Sequence, residues 1–304
     1  VTDWLEVSLS VDGESAEATA ELLQRYGYQG VAIEQEGIMP EAWTDDEVPP
    51  ASRLTIRAYL PVDSELEDKK ARLESSLGHM SLMYPMPTPS YRQVQDADWA
   101  EAWKAHYHPV RLGRHILIRP LWIQVKAQED DVVIALDPGM AFGTGTHPTT
   151  HLCLEALEDL TPQGGEVLDL GCGSGILAIA AAKFGAGNVL AVDNDPIAVE
   201  ATVENREVNH VADKIEAEVG SLDTVIASGR QFDLVAANLI ARVILAMSEN
   251  GLGQIVKPGG VAVFSGIIEE QVPDIEVALR HTGLEPYHRR TMGDWVAIEA
   301  RRSK

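Results

Sequence analysis

Three short stretches carry residues whose types and spacing suit a nucleoside-bearing ligand. The first is Val167-Leu168-Asp169-Leu170-Gly171-Cys172-Gly173-Ser174-Gly175, an apolar run that passes straight into alternating glycines. Gly171 and Gly173 lack a Cβ, so the backbone there can approach a ligand closely, and Gly175 allows tight helix packing. A glycine turn of this kind is shared with dinucleotide enzymes. The spacing, however, is Gly-x-Gly-x-Gly and not the Gly-x-Gly-x-x-Gly that cradles a pyrophosphate. That argues against a nicotinamide dehydrogenase and towards S-adenosylmethionine, which has no phosphate to place on a helix N-terminus. Cys172, between the glycines, reads as a small buried filler and not as a nucleophile. The second stretch, Val189-Leu190-Ala191-Val192-Asp193, ends in an acid 22 residues after Gly171. A carboxylate there can accept from both ribose hydroxyls. NAD enzymes also place an acid at this distance, so Asp193 supports a nucleoside without separating the two classes. Its bland role, capping the next helix, already falls to Asp195.

The third stretch is Phe232-Asp233-Leu234-Val235-Ala236-Ala237-Asn238, followed by Leu239-Ile240-Ala241. Asn238 at a strand end faces the same crevice, unless it merely terminates the strand. Methyltransferases acting on planar nitrogens typically resemble Asn-Pro-Pro-Tyr at this point. Here both prolines and the aromatic residue are missing, which favours a tetrahedral amine as acceptor over an adenine or a glutamine amide. Upstream lies Asp137-Pro138-Gly139-Met140-Ala141-Phe142-Gly143-Thr144-Gly145-Thr146-His147-Pro148-Thr149-Thr150. Its glycines, prolines and threonines make it a loop with polar donors, and Phe142 gives it an aromatic with which to close over a ligand. Thr149 or Thr150 can cap the following helix. His147 reads as a structural histidine in preference to a base.

These residues need a scaffold of strands ending at one rim. From about Val132 the chain alternates strands and helices. Strands are expected over 167–170, 188–192, 232–237, 261–264 and 295–300. Helices are expected over 150–160, 176–183, 196–209, 241–252 and 269–281. Repeated βα units imply a parallel sheet with helices on both faces. Ligands bind such sheets at the carboxyl ends of the strands, near the topological switch point. The beginning of the chain differs. Residues 4–11 alternate like a half-buried strand, 14–26 have helical spacing, and 30–34 and 53–60 are again strand-like. A helix over 64–77, with Ser64 as cap and Glu67 completing a capping box, ends at Gly78. A last strand covers 91–95. The order βαββαβ is the ferredoxin-like pattern. A connecting helix over 98–107 and a strand at 116–118 join the two parts.

Composition bounds the rest. The chain has 304 residues, 24 Lys plus Arg and 47 Asp plus Glu, a net charge of −23. Such a field repels nucleic acid and attracts basic partners, although acidity also serves solubility alone. No apolar run reaches membrane-spanning length, and the first residues carry no secretory pattern. Cys153 and Cys172 have no metal-type spacing, so neither zinc nor a disulfide framework is expected. The expectation is a soluble cytoplasmic protein with no essential metal.

The segment from Asp137 to Thr150, followed by Leu168-Asp-Leu-Gly-Cys-Gly-Ser-Gly-Ile-Leu-Ala-Ile-Ala180, resembles the bacterial ribosomal protein L-eleven methyltransferases. The Asn238-Leu239-Ile240-Ala241 strand end, the stretch from Asp98-Trp99 to His108-Pro109 and the ending Asp294-Trp295 are similar to that family too. The resemblance implies a seven-stranded class I, Rossmann-like methyltransferase domain over 116–304. It also implies a ferredoxin-like substrate-recognition domain over 1–95, with 96–115 connecting the two. Cofactor contacts are implied at Thr150, Gly171, Asp193 and Asn238; the residue reading adds that Asn238 orients the acceptor amine by hydrogen bonds. Phe142 and Gly173 join this set from the residue reading. The implied reaction moves methyl groups from S-adenosylmethionine to lysine side chains and an N-terminal α-amine of the ribosomal protein. The enzyme is expected to be a monomer with no membrane or direct nucleic-acid contact. A methyltransferase for another basic protein, or for a small molecule or glutamine, is the alternative.

Overall fold

A computed structural model describes residues 4–11, 19, 20, 22, 23, 26, 31–35, 54–81, 86–94, 108–136, 145 and 147–304, with backbone only at 31–35 and 79. The expected loop over 36–50, the connecting helix over 98–107 and most of the Asp137–Thr146 loop, Phe142 included, lie outside these residues. The chain divides into two compact units, Val1–Tyr107 and His108–Lys304.

In the first unit β1 (Trp4–Val11), β2 (Val31–Gln35), β3 (Leu54–Pro61) and β4 (Ser90–Val94) form one antiparallel sheet in the order β2-β3-β1-β4. The strand period of two sends Val7, Leu9 and Val11 to one face. There they meet Leu22, Leu23, Ile56, Ala58 and Leu60 in one core, together with Leu73 and Leu77 of helix α1 (Leu66–Met80). Residues 19, 20, 22 and 23 are helical, so the described elements follow the ferredoxin-like order. The entry to α1 departs from expectation. Asp63, not Ser64, organises it: its Oδ1 accepts from Glu65 N at 2.9 Å and its Oδ2 from Lys69 Nζ at 3.1 Å. The helix also runs through Gly78 to Met80, because a single glycine weakens a helix without ending it.

The second unit holds a seven-stranded sheet in the order β10-β9-β8-β11-β12-β14-β13. Its strands are β8 (Glu166–Leu170), β9 (Asn188–Asp193), β10 (Ile215–Val219), β11 (Phe232–Asn238), β12 (Val256–Ile268), β13 (Leu284–Met292) and β14 (Trp295–Arg302). The first five in spatial order are parallel, while β14 is antiparallel to β12 and β13 to β14. The chain steps outward from β8 to β9 and β10, then returns to β11 on the other side of β8. The crevice between β8 and β11 is therefore the switch point. Helices α2 (Pro148–Leu160), α3 (Ile176–Lys183), α4 (Pro196–Val208), α5 (Leu222–Ser228), α6 (Ala241–Glu249) and α7 (Val272–His281) connect the strands. Two apolar clusters cover the two faces of the sheet. Leu152, Leu154, Leu157 and the alanines of α3 lie in one, and Leu222, Ile244, Ile275 and Leu279 in the other.

Four elements carried no clear sequence signal. β10 and β13 are sheet edges with mostly exposed side chains, so their apolar alternation is weak. Helix α5 is only seven residues long. β5 (Val110–Leu112) pairs with β6 (Ile116–Pro120), which runs parallel to β7 (Val132–Leu136) in a separate three-stranded sheet. The expected helix over 269–281 divides into a 3₁₀ turn at Glu269–Gln271 and α7.

Candidate functional site

The glycine turn is tied to the neighbouring strand before any side chain is considered. Gly171 N and Cys172 N both donate to Val192 O, at 2.7 and 3.1 Å. Gly171, Gly173 and Gly175 take φ of +80°, +52° and +77°, a region that disfavours residues with a Cβ. Space is tight as well: a Cβ on Gly171 would lie 2.5 Å from Leu239 Cδ2, and one on Gly175 2.8 Å from Thr202 Cγ2, so these side chains would have to shift. Thr202 Oγ1 sits 3.0 Å from Gly173 O and 3.3 Å from Cys172 Sγ, packing α4 onto the turn. Burial pushes the Cys172 thiol well above its ordinary range, which suits a filler and not a nucleophile.

Asp193 stands where the sequence places it, at the end of β9, partly exposed on the rim. Its Oδ2 accepts from Gly173 N at 3.0 Å and its Oδ1 from Asp195 N at 3.0 Å. Each carboxylate oxygen has a second lone pair for a ribose hydroxyl. Capping of α4 falls to Asp195, whose Oδ1 accepts from Ile197 N at 2.9 Å.

Asp169, two residues before Gly171, carried no expectation from the sequence. It is 1% exposed, and its Oδ2 accepts from Ala178 N in the first turn of α3 at 2.9 Å. Its Oδ1 has no hydrogen-bond partner among the described residues. Burial, reinforced by the nearby Asp193 charge and opposed by the Ala178 bond, pushes its carboxyl up to about 7. One N–H of the α3 N-terminus is thus already taken by the protein itself and is not available to a phosphate.

The other side of the crevice is built from β11 and α2. Asn238 ends β11 and its Nδ2 donates to Thr150 Oγ1 at 3.3 Å, joining residues 88 apart in the chain. Thr150 is buried in the first turn of α2 and does not cap it, and neither does Thr149. The cap is His147, whose Nδ1 accepts from Thr149 N at 3.3 Å and lies 2.8 Å from Thr149 Oγ1. Its ring packs edge-on against Trp295 at 4.8 Å. Burial, with a smaller contribution from His151, lowers its pKa, so the imidazole is neutral at pH 7. His151 Nε2 meets Gly145 O at 2.7 Å and holds the end of the preceding loop. Leu239 is wedged in place. Its side chain fills the space left by Gly171, and a Cβ on Gly266 would be driven into its carbonyl oxygen. Leu239 N donates to Ser265 O at 3.0 Å, next to the irregularity that bends β12. Gly266, with φ +86°, is thus a site residue that no local pattern announces.

A family model described as ribosomal protein L11 methyltransferase matches residues 3–303. The chain belongs to the ribosomal protein L11 methyltransferase family. A relative of that name from Chloroflexus aurantiacus is 42% identical over 324 residues, covering 99% of this chain and 98% of its own. Another, from Pelotomaculum thermopropionicum, is 42% identical over 308 residues and covers 98% and 99%. Among solved structures, the ribosomal protein L11 methylase from Lactobacillus delbrueckii subsp. bulgaricus superposes with a TM-score of 0.59 at 34% identity. It covers 65% of this chain and 100% of that one. Membership accounts for the sheet order and for the glycine turn. Within the family fold, Gly171, Gly173, Asp193, Asn238 and Thr150 all gather at the carboxyl ends of β8, β9 and β11, and only Phe142 lies outside the described residues.

Proposed function

We propose that this chain transfers methyl groups from S-adenosylmethionine to ribosomal protein L11, at lysine side chains and at the N-terminal α-amine. The observation that carries the reading is the Asn238–Thr150 pair facing the glycine turn across the switch point, with Asp193 on the opposite side. In this reading Asp193 holds the ribose, and the backbone of Gly171 and Gly173 passes against the ligand. Thr150 and Phe142 close the pocket, with Phe142 placed by its position in the loop. The cofactor, when bound, supplies a methyl group already activated by its sulfonium, so the protein's task is positioning and exclusion of water.

The acceptor must arrive as a neutral amine. For a lysine of reference pKa near 10.4, losing the proton costs roughly 4–5 kcal/mol at pH 7, against about 1–1.5 kcal/mol for an α-amine near 8. An apolar wall lowers the lysine cost by disfavouring its charged form. Ile240, 54% exposed and two residues past Asn238, supplies such a wall, with Leu239 behind it. With Nδ2 committed to Thr150, Asn238 presents Oδ1 as the acceptor that aligns an amine N–H. The missing Pro-Pro-Tyr disfavours a planar nitrogen as the acceptor.

Residues 1–95, within the first unit, are the part assigned to substrate recognition, 96–115 the connection and 116–304 the catalytic part. The enzyme acts as a cytoplasmic monomer on the protein itself, and a net charge of −23 disfavours direct contact with nucleic acid. Incubation with isotope-labelled S-adenosylmethionine and purified L11, followed by peptide mass spectrometry, tests the reading. Label on lysines and the N-terminus is expected. Label confined to glutamine, or to another basic protein offered in competition, overturns it.

A further inference from the structure

Strand β12 is interrupted beside Asn238. Phe264 pairs with Ile298 of β14 and Ile267 with Val296, so Ser265 and Gly266 together stand opposite the single residue Ala297. This is a β-bulge, a device that re-aims groups next to a site. On its other side Ser265 lies in register with Asn238 of β11. Ser265 is fully buried, and its two oxygens serve different neighbours. Its carbonyl accepts from Leu239 N at 3.0 Å, and its Oγ donates to Val296 O at 3.1 Å. A side chain thus bridges β12 to β14 where the bulge breaks the backbone ladder. A buried hydroxyl is costly unless bonded, and this one commits its only hydrogen to that bridge.

The bridge closes a circuit around the Asn238–Thr150 pair. Val296 follows Trp295, whose ring packs against His147. His147 caps α2, and its carbonyl accepts from Thr150 N at 3.0 Å. Thr150 Oγ1 accepts from Asn238 Nδ2, and Leu239, the next residue, returns to Ser265 O. Each half of the pair therefore reaches Ser265 by its own route. Asn238 does so through the following backbone amide, and Thr150 through His147, Trp295 and Val296.

We infer that Ser265 is a positioning residue for methyl transfer: its hydroxyl pins the bulge of β12, and the pinned bulge sets the backbone after Asn238 and with it the aim of Asn238 Oδ1 at the amine. The inference rests on the acceptor role proposed for Asn238 above. The glycine turn and Asp193 are bonded to one another through Gly173 N, and the turn to β9 through Val192 O. The bulge therefore bears on the acceptor more than on the cofactor.

Single-turnover methyl transfer to L11 and calorimetric titration of S-adenosylmethionine, on wild type, Ser265→Ala, Asn238→Ala and the double variant, test this. Ser265→Ala is expected to transfer about tenfold more slowly, with cofactor affinity within about twofold of wild type. In the Asn238→Ala background the same substitution should slow transfer by less than about twofold, because the group it aims is gone. Losses that multiply in the double variant would overturn the inference, as would equal losses of rate and cofactor affinity in Ser265→Ala. Hydrogen exchange on the wild-type protein needs no variant to fold. The Leu239 amide should exchange as slowly as those of Ala236 and Ala237 within β11, and exchange about a hundredfold faster also overturns the inference. If Asn238→Ala transfers at the wild-type rate, the acceptor role of Asn238 has failed and the inference falls with it. If Asn238→Ala is slow while Ser265→Ala keeps the wild-type rate, only the inference fails.

Discussion

Two carboxylates on neighbouring strands have opposite tasks. Asp193 is partly exposed and accepts two backbone N–H groups, which hold its carboxylate at the rim. Asp193→Ala should weaken S-adenosylmethionine binding at least tenfold by calorimetry. Because it also frees Gly173 N and Asp195 N, it should cost about 1–2 kcal/mol in denaturant unfolding, more than a residue reserved for the ribose would. Unchanged affinity would refute the ribose assignment. Asp169, in contrast, is buried with a carboxyl raised to about 7 mainly by desolvation. The native state therefore holds its proton over a range where the unfolded chain has lost it. Its contribution is fully present below the unfolded carboxylate pKa near 4 and is lost as pH rises through about 7. Asp169→Asn should abolish that slope, so the difference in unfolding free energy between variant and wild type should grow from pH 4 to 8 by on the order of 3 kcal/mol. A difference independent of pH would show that Asp169 is not buried as a neutral acid. The amine acceptor titrates too. The initial rate of L11 methylation should rise between pH 6 and 9 by up to about tenfold per pH unit. A flat profile in single-turnover conditions would rule out amine deprotonation as a limit.

At the scale of elements, the site depends on how β11 hands over to α6. Leu239 is gripped between Gly171 of the β8 turn and Gly266 of β12, where the pairing with β14 shifts register. Gly266→Ala adds a Cβ at φ +86° that runs into the Leu239 carbonyl, so the backbone following Asn238 must move. The variant should lose about 1–3 kcal/mol of stability. Its kcat should fall at least tenfold, while its affinity for S-adenosylmethionine changes less, because Asp193 and the glycine turn stay in place. Equal losses in kcat and in cofactor affinity would place Gly266 in general folding and not in acceptor geometry. The cap of α2 works in the same way. With His147 capping from outside, Thr150 is free of that duty and faces Asn238. The threonines next to the helix start were equally eligible as caps by local preference, whereas the pull of Asn238 on Thr150 comes from another strand.

For the molecule as a whole, the net charge of −23 sets a long-range field. If L11 is drawn in by that field, its KM should rise several-fold between about 50 and 300 mM salt with little change in kcat, since screening shortens the reach of exposed charges. A KM insensitive to salt would mean that recognition rests on contact surfaces and that the acidity serves solubility. What was legible without coordinates shares one property: it is encoded within a few residues. The strand-to-turn passage at Gly171–Gly175, the acid ending the next strand at Asp193, the Asn ending β11 and the two-part order of elements each arise from local periodicity and glycine chemistry. The sequence by itself thus determined a nucleoside-type pocket on a parallel α/β sheet and, through its motifs, the family. Only the tertiary structure decided which distant residues complete that pocket. Thr150 meets Asn238, Leu239 sits between Gly171 and Gly266, and Ser265 joins Leu239 to Val296. These contacts are set by strand order and register across the switch point. Backbone pairing fixes them in space, and no spacing along the chain records them.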